Sequence, residues 1–206
     1  GIYSEFNYYS QLKQELQSIT DANGKVKKGY EDRARVILGE LNKALGTELK
    51  MNGNIIDSYK DQMKSLDDLM IKKQAQALVD SGMEGYTEAV KKSAQATRDA
   101  AKAQEEYRDK KAAVEAEIEK MEENGITRGN INYDATRNRL MSELEEYKTN
   151  ADKKKEVAEG FTQTMAQQEY LMGELSKGTA ESSKEIVDYV TNSYKENGKT
   201  MQLSTY

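Results

Sequence analysis

The chain has 206 residues with a formal net charge of −5 and contains no proline, cysteine or histidine. Without histidine and cysteine, Ser-His-Asp and Cys-His catalytic relays, thiolate metal sites and disulfides are excluded. Charged residues make up 33% of the sequence and strong helix formers fill much of the rest, so long amphipathic helices are the first expectation, disorder the second and a compact α/β enzyme the third.

The first predicted helix covers residues 3–19, where apolar side chains recur at spacings of three and four residues. Residues 21–24 follow with a sequence, Asp-Ala-Asn-Gly, that tolerates the positive φ of a turn. This segment hints at a calcium loop, but the first and twelfth ligand positions would be Ile19 and Tyr30, which cannot supply carboxylates. We therefore predict a plain turn.

The second predicted helix covers residues 30–45, and Gly46 stands where a left-handed C-terminal cap is expected. The β signal in the sequence comes next. Residues 48–51 and 54–56 are predicted to form short strands on either side of Asn52-Gly53, a dipeptide that fits a two-residue type I′ turn. An isolated hairpin this short is marginal in water, so we expect it to pack on a helix.

A third helix is predicted to begin after Asp57 or Ser58, since Ser58 and Asp61 have the spacing of a capping box. Apolar residues at helical spacing continue to Ala77. Ser81-Gly82 and Gly85 are expected to weaken this helix, although they need not end it.

Two long tracts then repeat every seven residues. In the first, the recurring positions are Tyr86, Ser93, Ala100, Tyr107, Val114 and Met121, with a second row at Ala89, Ala96 and Ala103. In the second, they are Leu140, Leu144, Tyr147, Ala151, Lys154, Ala158, Phe161, Met165, Gln168, Met172 and Leu175. Such repeats predict a coiled coil. We expect helices at 83–123 and 132–177, joined by a loop of about eight residues into an antiparallel αα-hairpin.

The last predicted helix covers residues 179–195, with Thr179 as its cap and Asn197-Gly198 at its end. The predicted fold is all-α, an elongated helical or coiled-coil chain with a long antiparallel αα-hairpin and one short β-hairpin near residues 48–56. By this division, residues 1–82 form a helix-hairpin-helix segment, 83–177 the coiled-coil hairpin, and 178–206 a C-terminal helix and tail.

The candidate chemical motifs are weak. Gly198-Lys199-Thr200 matches the end of a phosphate-binding loop, but Ser193 stands where that loop needs an earlier glycine. Acidic clusters at residues 117–119 and 143–146 alternate with basic residues at helical spacing, which favours solvated helix faces over catalytic carboxylate pairs. We therefore predict that this chain is not an enzyme, and we assign no catalytic, cofactor-binding or metal-binding residue.

Two basic runs, Lys110-Lys111 and Lys153-Lys154-Lys155, lie among acidic residues, so no direct nucleic-acid binding is expected. No apolar run approaches the roughly 20 residues that span a membrane, and no signal peptide is visible. The chain begins with Gly1 and ends without an evident closing feature, so we expect a piece excised from a longer protein.

Residues 20–80 carry the most specific local motifs. The turn at 21–24 leads through Lys25-Val26-Lys27-Lys28-Gly29 into a helix that ends Leu41-Asn42-Lys43-Ala44-Leu45-Gly46-Thr47-Glu48. The Asn52-Gly53 hairpin then leads into Ile55-Ile56-Asp57-Ser58-Tyr59. The third helix that follows contains Ile71-Lys72-Lys73-Gln74-Ala75-Gln76-Ala77-Leu78. With these motifs, the chain resembles the helical part of tape measure proteins of long-tailed bacteriophages and prophages. The heptad tracts match that family in character, and residues 175–199 match it loosely.

The resemblance implies a structural role. Proteins of this family lie extended in the tail tube, set tail length during assembly, are coated by tail assembly chaperones and leave with the DNA at infection. It thus implies the chaperones and the tail tube protein as partners, and the tail lumen of the virion as the location after assembly in the bacterial cytoplasm. Self-association through the heptad positions is a further expectation. The alternative is a non-viral coiled-coil module for protein interaction, and a nucleotide-driven machine or enzyme comes third.

Overall fold

A computed structural model describes residues 1–196, and helices account for 81% of them. The elements in chain order are α1 (Ile2–Ser18), α2 (Glu31–Leu45), β1 (Met51–Asn52), β2 (Ile55–Ile56), α3 (Tyr59–Ser81), α4 (Met83–Glu123), α5 (Ile131–Ser176) and α6 (Ala180–Glu196). The predicted all-α class with a short β-hairpin is confirmed. The two long helices begin and end within one residue of their predicted bounds.

The chain divides into two compact units. One contains Gly1–Met83 together with the chain from Gln168 onward, and the other is Glu84–Gln167. The structure thus groups the chain differently from the predicted segments 1–82, 83–177 and 178–206. The physical reason is that α6 packs against α3, so the C-terminal helix shares a core with the N-terminal segment.

The first core of the Gly1–Met83 unit gathers apolar faces of α1, α2 and the N-terminal half of α3. Its buried members are Leu12, Leu16, Ile19, Val26, Ala34, Ile37, Leu38, Leu41, Leu45, Leu49, Ile56, Met63 and Leu66. Within α2 these side chains recur at spacings of three and four, as an amphipathic helix requires. Gly46 ends α2 with φ of +67°, which confirms the predicted left-handed cap.

A second core in the same unit joins α3 to elements from both ends of the chain. Its buried members are Ile2, Ala75, Leu78, Val79, Leu171, Ile186 and Val190. Because α1 and α3 both contribute to both cores, these two helices link them. The predicted cap of α6 is confirmed, since Thr179 Oγ1 accepts a hydrogen bond from the Ser182 amide at 3.0 Å.

The β-hairpin is present, but its turn differs from the one predicted. The strand pairs are Met51 with Ile56 and Asn52 with Ile55. The two central turn residues are therefore Gly53 and Asn54, and of these only Gly53 has a positive φ, +62°. Positive φ at the first central residue alone is the type II′ pattern, whereas the predicted type I′ turn needs it at both. The predicted strands shorten accordingly to two residues each.

The predicted capping box at the start of α3 is wrong. Ser58 is the N-cap residue, but its φ is +51° and its side chain makes no capping hydrogen bond. A capping serine needs an extended backbone for its hydroxyl to reach the amides of the first helical turn. The left-handed conformation of Ser58 prevents this hydrogen bond. The neighbouring Asp57 instead accepts a hydrogen bond from Asn52 Nδ2 at 2.8 Å, which ties the hairpin to the start of the helix.

The plain turn predicted at residues 21–24 is present, and its first side chain holds it. Asp21 Oδ1 accepts hydrogen bonds from the amides of Asn23 at 2.9 Å and Lys25 at 3.0 Å, which is an Asx turn. The Asp21 carboxylate thus stabilises the backbone of the turn.

Gly24 lies where this turn approaches the start of α3. Its φ is +87°, and its carbonyl accepts a hydrogen bond from the Ile56 amide at 2.8 Å. A Cβ at this position would lie 2.7 Å from Tyr59 Cβ and 2.9 Å from the Ile56 carbonyl oxygen. Both the backbone conformation and the available space therefore require glycine.

We predict that Gly24→Ala destabilises the chain by about 2–4 kcal/mol, because a strained φ adds to an overlap with atoms that cannot move away. The matched control is Gly29→Ala, since Gly29 has a similar φ of +94° but nothing within 4 Å of an added Cβ. That variant should lose only about 1 kcal/mol. Urea unfolding followed by circular dichroism measures both, and equal losses would contradict the close approach.

Candidate functional site

The unit Glu84–Gln167 is built from α4 and α5, which run antiparallel to each other. Lys110 Nζ donates a hydrogen bond to Glu143 Oε2 at 2.8 Å, and Tyr133 Oη donates one to Glu122 Oε1 at 3.0 Å. As the residue number rises along α4, the number of its partner on α5 falls. The predicted antiparallel αα-hairpin is thus present.

Small side chains dominate the seam between the two helices. The buried residues of this unit are Ala89, Ala103 and Val114 on α4, and Tyr133, Leu140, Ala151 and Ala158 on α5. The larger predicted seam residues Tyr107, Leu144 and Phe161 are half-buried, and Lys154 is exposed. Alanines therefore make up much of the buried seam, and the larger residues beside them keep part of their surface exposed.

The heptad analysis missed two residues of this seam. Tyr133 is 2% exposed and lies one heptad before Leu140, where the predicted tract began. Lys110 lies one heptad after Ala103, and only 25% of its side chain is exposed. Extending each row by seven residues would have found both positions, although the repeat does not predict a charged residue at the second.

Lys110 forms a polar cluster within the hairpin. Its ammonium group contacts Glu143 and also lies 5.7 Å from the centre of the Tyr147 ring, while Arg139 Nη1 reaches the other Glu143 oxygen at 3.1 Å. The hydrogen bond between the two groups raises the pKa of Lys110 and lowers the pKa of Glu143. This cluster can form in only one alignment of the helices, so we infer that it helps to fix their register.

A glutamine closes the junction between α3 and α4 in the other unit. The structure ends α3 at Ser81 and begins α4 at Met83, so the helix that Ser81-Gly82 was expected to weaken does end there. Gln168 is 4% exposed, and its Nε2 donates a hydrogen bond to the Val79 carbonyl at 2.8 Å. A Cβ on Gly82 would overlap Gln168 Oε1 and lie 3.0 Å from its Cδ. The glycine therefore makes room for the amide that satisfies the helix end.

The motif at residues 41–48, which contributes to the resemblance, has a structural explanation. Asn42 Nδ2 donates to the Leu49 carbonyl at 3.0 Å, and Asn42 Oδ1 accepts from the Leu49 amide at 2.7 Å. The Thr47 hydroxyl donates to the same oxygen at 2.8 Å. One side chain thus satisfies the backbone that leaves α2 and directs it toward β1.

An exposed groove lies between α1 and α2. Its lining residues are Tyr8, Tyr9, Arg35, Val36, Gly39, Glu40, Lys43 and Ala44. Tyr8 is 46% exposed and Val36 is 50% exposed, and the Tyr8 hydroxyl donates to Glu40 Oε2 at 2.6 Å. That hydrogen bond is the main cause of the raised pKa of Tyr8. An added Cβ on Gly39 would meet nothing within 4 Å, so the groove has an open floor at this point.

The charged runs in the sequence lie mainly on exposed helix faces. Glu145 and Glu146 are exposed, and Lys155 lies 3.8 Å from Glu159 one turn further along the helix. Within residues 1–196, no group of three or more His, Cys, Asp or Glu side chains is placed to hold a metal ion. In the same part of the chain, no helix combines the length and the apolar character needed to cross a membrane. Gly198-Lys199-Thr200 and the predicted end of α6 lie outside the described residues.

Comparison with known proteins identifies no relative, so the functional proposal depends on the geometry of the chain itself. No protein-family profile, curated protein or solved structure matches the chain significantly. Two features then remain as candidates for function: the helical hairpin in Glu84–Gln167 and the exposed groove between α1 and α2.

We predict that Glu143→Gln destabilises the hairpin at neutral pH and reduces its sensitivity to acid. The folded-state pKa of Glu143 is lowered by Lys110, so its stabilisation is present above the ordinary value of 4.5 and is lost as pH falls through the lowered value. Thermal unfolding followed by circular dichroism between neutral and acid pH measures this. The control is Glu146→Gln, an exposed glutamate on the same helix. Equal pH profiles for the two variants would show that the ion pair contributes nothing.

We predict a strong interaction energy between positions 82 and 168. Gly82→Ala alone should destabilise the chain by about 1–2 kcal/mol, because the methyl group displaces the Gln168 amide from the Val79 carbonyl. With Gln168→Ala already present, the same change should be neutral or stabilise by up to about 1 kcal/mol through helix propensity. A double-mutant cycle in urea measures the difference, and additive effects would contradict the contact.

Proposed function

We propose that this chain is a structural segment of a phage tail tape measure protein, which sets tail length and scaffolds assembly of the tail tube. The observation that carries the proposal is the length of its uninterrupted helices. α4 has 41 residues and α5 has 46. At 1.5 Å per residue they extend for about 62 Å and about 69 Å. A helix converts residue count into a fixed distance, as a molecular ruler requires.

The segment that resembles the tape measure family supports the proposal in a second way. Its characteristic residues perform structural tasks: Asp21 holds a turn, Asn42 directs the chain after α2, and Gly24 permits a close contact. A segment whose specific residues organise backbone, without converging on a reactive centre, fits a scaffold role. The alternation of acidic and basic residues on α4 and α5 also fits helices that make many weak polar contacts with a surrounding protein tube.

In this role the partners are the tail assembly chaperones and the tail tube protein, and the location is the tail lumen after assembly in the bacterial cytoplasm. Self-association through the heptad positions belongs to the same proposal. The half-buried rings of Tyr107 and Phe161 leave apolar atoms at the flanks of the seam. These atoms offer a second copy, or a chaperone, a surface to cover.

A protein-interaction module outside phage tails is the second candidate. The exposed groove between α1 and α2 favours it, because Tyr8 and Val36 together present apolar surface next to the charged ends of Arg35 and Lys43. Tyrosine and arginine beside an open apolar floor are typical of residues that contribute to protein interfaces. On this alternative the hairpin presents a surface and measures no length.

The test is a set of in-frame deletions in the parent gene. Deleting 21 residues, three heptads, from either tract 86–121 or tract 140–175 should shorten the tail by a fixed step of at most ~32 Å and leave infectious particles. Deleting 21 residues from each arm at matched heights, residues 93–113 and 142–162, preserves the alignment of the hairpin. This paired deletion should shorten the tail by ~32 Å if the segment is packed as a hairpin, and by ~63 Å if it is packed as one extended helix.

The control is Lys154→Gln, which changes an exposed side chain and leaves the residue count unchanged. Its tails should keep the parental length in electron micrographs. Either step size supports the ruler, and the ratio of step to deleted residues identifies the packed form. Deletions that leave tail length unchanged would overturn the proposal and favour the interaction module.

A further inference from the structure

The outer face of α2 carries a row of four exposed residues. Asp32, Val36, Gly39 and Lys43 follow one another at spacings of four, three and four, so they lie along one side of the helix. The buried residues of α2 lie on the opposite side, against the first core. We call these four residues the outer row of α2. Their spacing is that of the residues through which two helices of a coiled coil meet.

The middle of the outer row combines an exposed apolar side chain with an open space. Val36 is 50% exposed, and a Cβ added to Gly39 would meet nothing within 4 Å. A valine from another helix can therefore occupy the space above Gly39, as a knob enters a hole in a coiled coil. Tyr8 lines the groove beside both residues, and its hydrogen bond to Glu40 Oε2 at 2.6 Å holds the ring in place. Tyrosine at such a position is typical of interface residues that contribute much of the binding energy.

The two ends of the outer row carry opposite charges. Asp32 lies four residues before Val36, and Lys43 lies four residues after Gly39, so the two charges are equally distant from the centre of the row. If a second copy of α2 packs antiparallel on this row, Asp32 of each copy lies opposite Lys43 of the other. In a parallel arrangement each charge would face its own like, which repels. The order of charges therefore complements an antiparallel copy of the same helix.

Contacts within the chain leave both charges open to a partner. Asp32 Oδ1 accepts a hydrogen bond from Arg35 Nη1 at 3.2 Å, but the Asp32 side chain is fully exposed, and a carboxylate can accept several hydrogen bonds at once. Lys43 is exposed as well. Beside the row, Arg33 binds both carboxylate oxygens of Glu15 and so joins α2 to α1. The surface is therefore in place before a second copy arrives, which lowers the entropy cost of binding.

We propose that α2 pairs with α2 of a second copy in an antiparallel, twofold-symmetric interface. Val36 of each copy packs over Gly39 of the other, and an ion pair between Asp32 and Lys43 closes each end. A twofold interface uses the same surface on both chains, so the product is a closed dimer. One helix face with Tyr8 beside it buries less than the roughly 800 Å² per partner of a standard interface, so the dimer is weak, with a Kd on the order of 0.1 mM.

This interface goes beyond the proposed role in setting tail length and does not depend on it. It also differs from self-association through the heptad positions, because it uses α2 and leaves α4 and α5 uncovered.

An exchange of charges tests the antiparallel pairing. Asp32→Lys gives the row positive charges at both ends, and Lys43→Asp gives it negative charges at both ends, so each variant alone should dimerise about tenfold more weakly than the wild type. An equal mixture of the two variants, and the variant that carries both changes, should regain wild-type association. Sedimentation equilibrium of the full chain at low ionic strength, from about 10 μM to about 1 mM, measures these constants. Asp32→Lys also brings the net charge of −5 closer to zero, so a general charge effect would strengthen its association.

A second pair of variants tests where the copies meet. Val36→Lys should weaken the dimer about tenfold, because a charge replaces the apolar centre of the row. The matched control is Val157→Lys on α5, since Val157 is 53% exposed, and it should leave the dimer unchanged. Circular dichroism checks that both variants keep the helical content of the wild type.

Three results would overturn the α2 interface. They are a chain that stays monomeric up to about 1 mM, single charge variants that associate as the wild type does, and association that is lost in Val157→Lys but kept in Val36→Lys. The last of these results would move self-association to the hairpin, and none of them alters the test of tail length.

Discussion

A seam in which four of the seven buried side chains are alanines is the constraint on which the hairpin of α4 and α5 depends. Ala89, Ala103, Ala151 and Ala158 are almost fully buried although each side chain is a single methyl group. Their burial yields little hydrophobic free energy per residue, so the hairpin relies on many small contacts repeated along the helices. Because the seam residues are small and similar, side-chain shape alone distinguishes poorly between the observed alignment of the two helices and alignments shifted by one heptad. Polar contacts at particular heights then gain importance, because a shift of one heptad breaks them.

Two polar contacts of the hairpin lie toward its loop end. Tyr133 and Glu122 meet next to the connection, and Lys110 and Glu143 meet several turns further along. Residues Gly125 and Gly129 both have positive φ in the connection between them. The loop therefore reverses the chain, and the nearby hydrogen bonds fix the height at which the second helix begins. The regular alanine seam continues from that starting point.

In the other unit, chain direction is set by side chains that bind backbone. Asp21 accepts two such bonds, Asn42 donates one and accepts one, and Gln168 donates one at the break after α3. Each of them satisfies groups that a helix end or a tight turn leaves without partners. This gives the specific motifs of the segment a structural explanation. The motifs determine where the chain turns, and the apolar core residues determine which helices pack against each other after those turns.

Much of the architecture follows from local signals in the sequence. The seven-residue repeats predict the bounds of both long helices to within one residue. Gly46 predicts the end of α2, and Thr179 predicts the start of α6. These features depend on neighbouring residues only. The features that sequence reasoning misplaced or left open depend on distant contacts. The hairpin lies against residues 24–26, where the Val26 amide donates to the Asn54 carbonyl and the Ile56 amide donates to the Gly24 carbonyl, and its turn is centred on Gly53 and Asn54. The break at Gly82 is set by Gln168, which lies far along the chain.

The most direct test of the account is a distance measurement within the hairpin. The chain contains no cysteine, so Gln95→Cys with Gly160→Cys gives two unique sites for nitroxide labels on exposed positions at matched heights of α4 and α5. Helices packed side by side lie about 8–10 Å apart, so pulsed electron paramagnetic resonance should give a distance below about 30 Å once the label arms are included. A separation on the order of 100 Å, the length of one continuous helix between these residues, would contradict the hairpin.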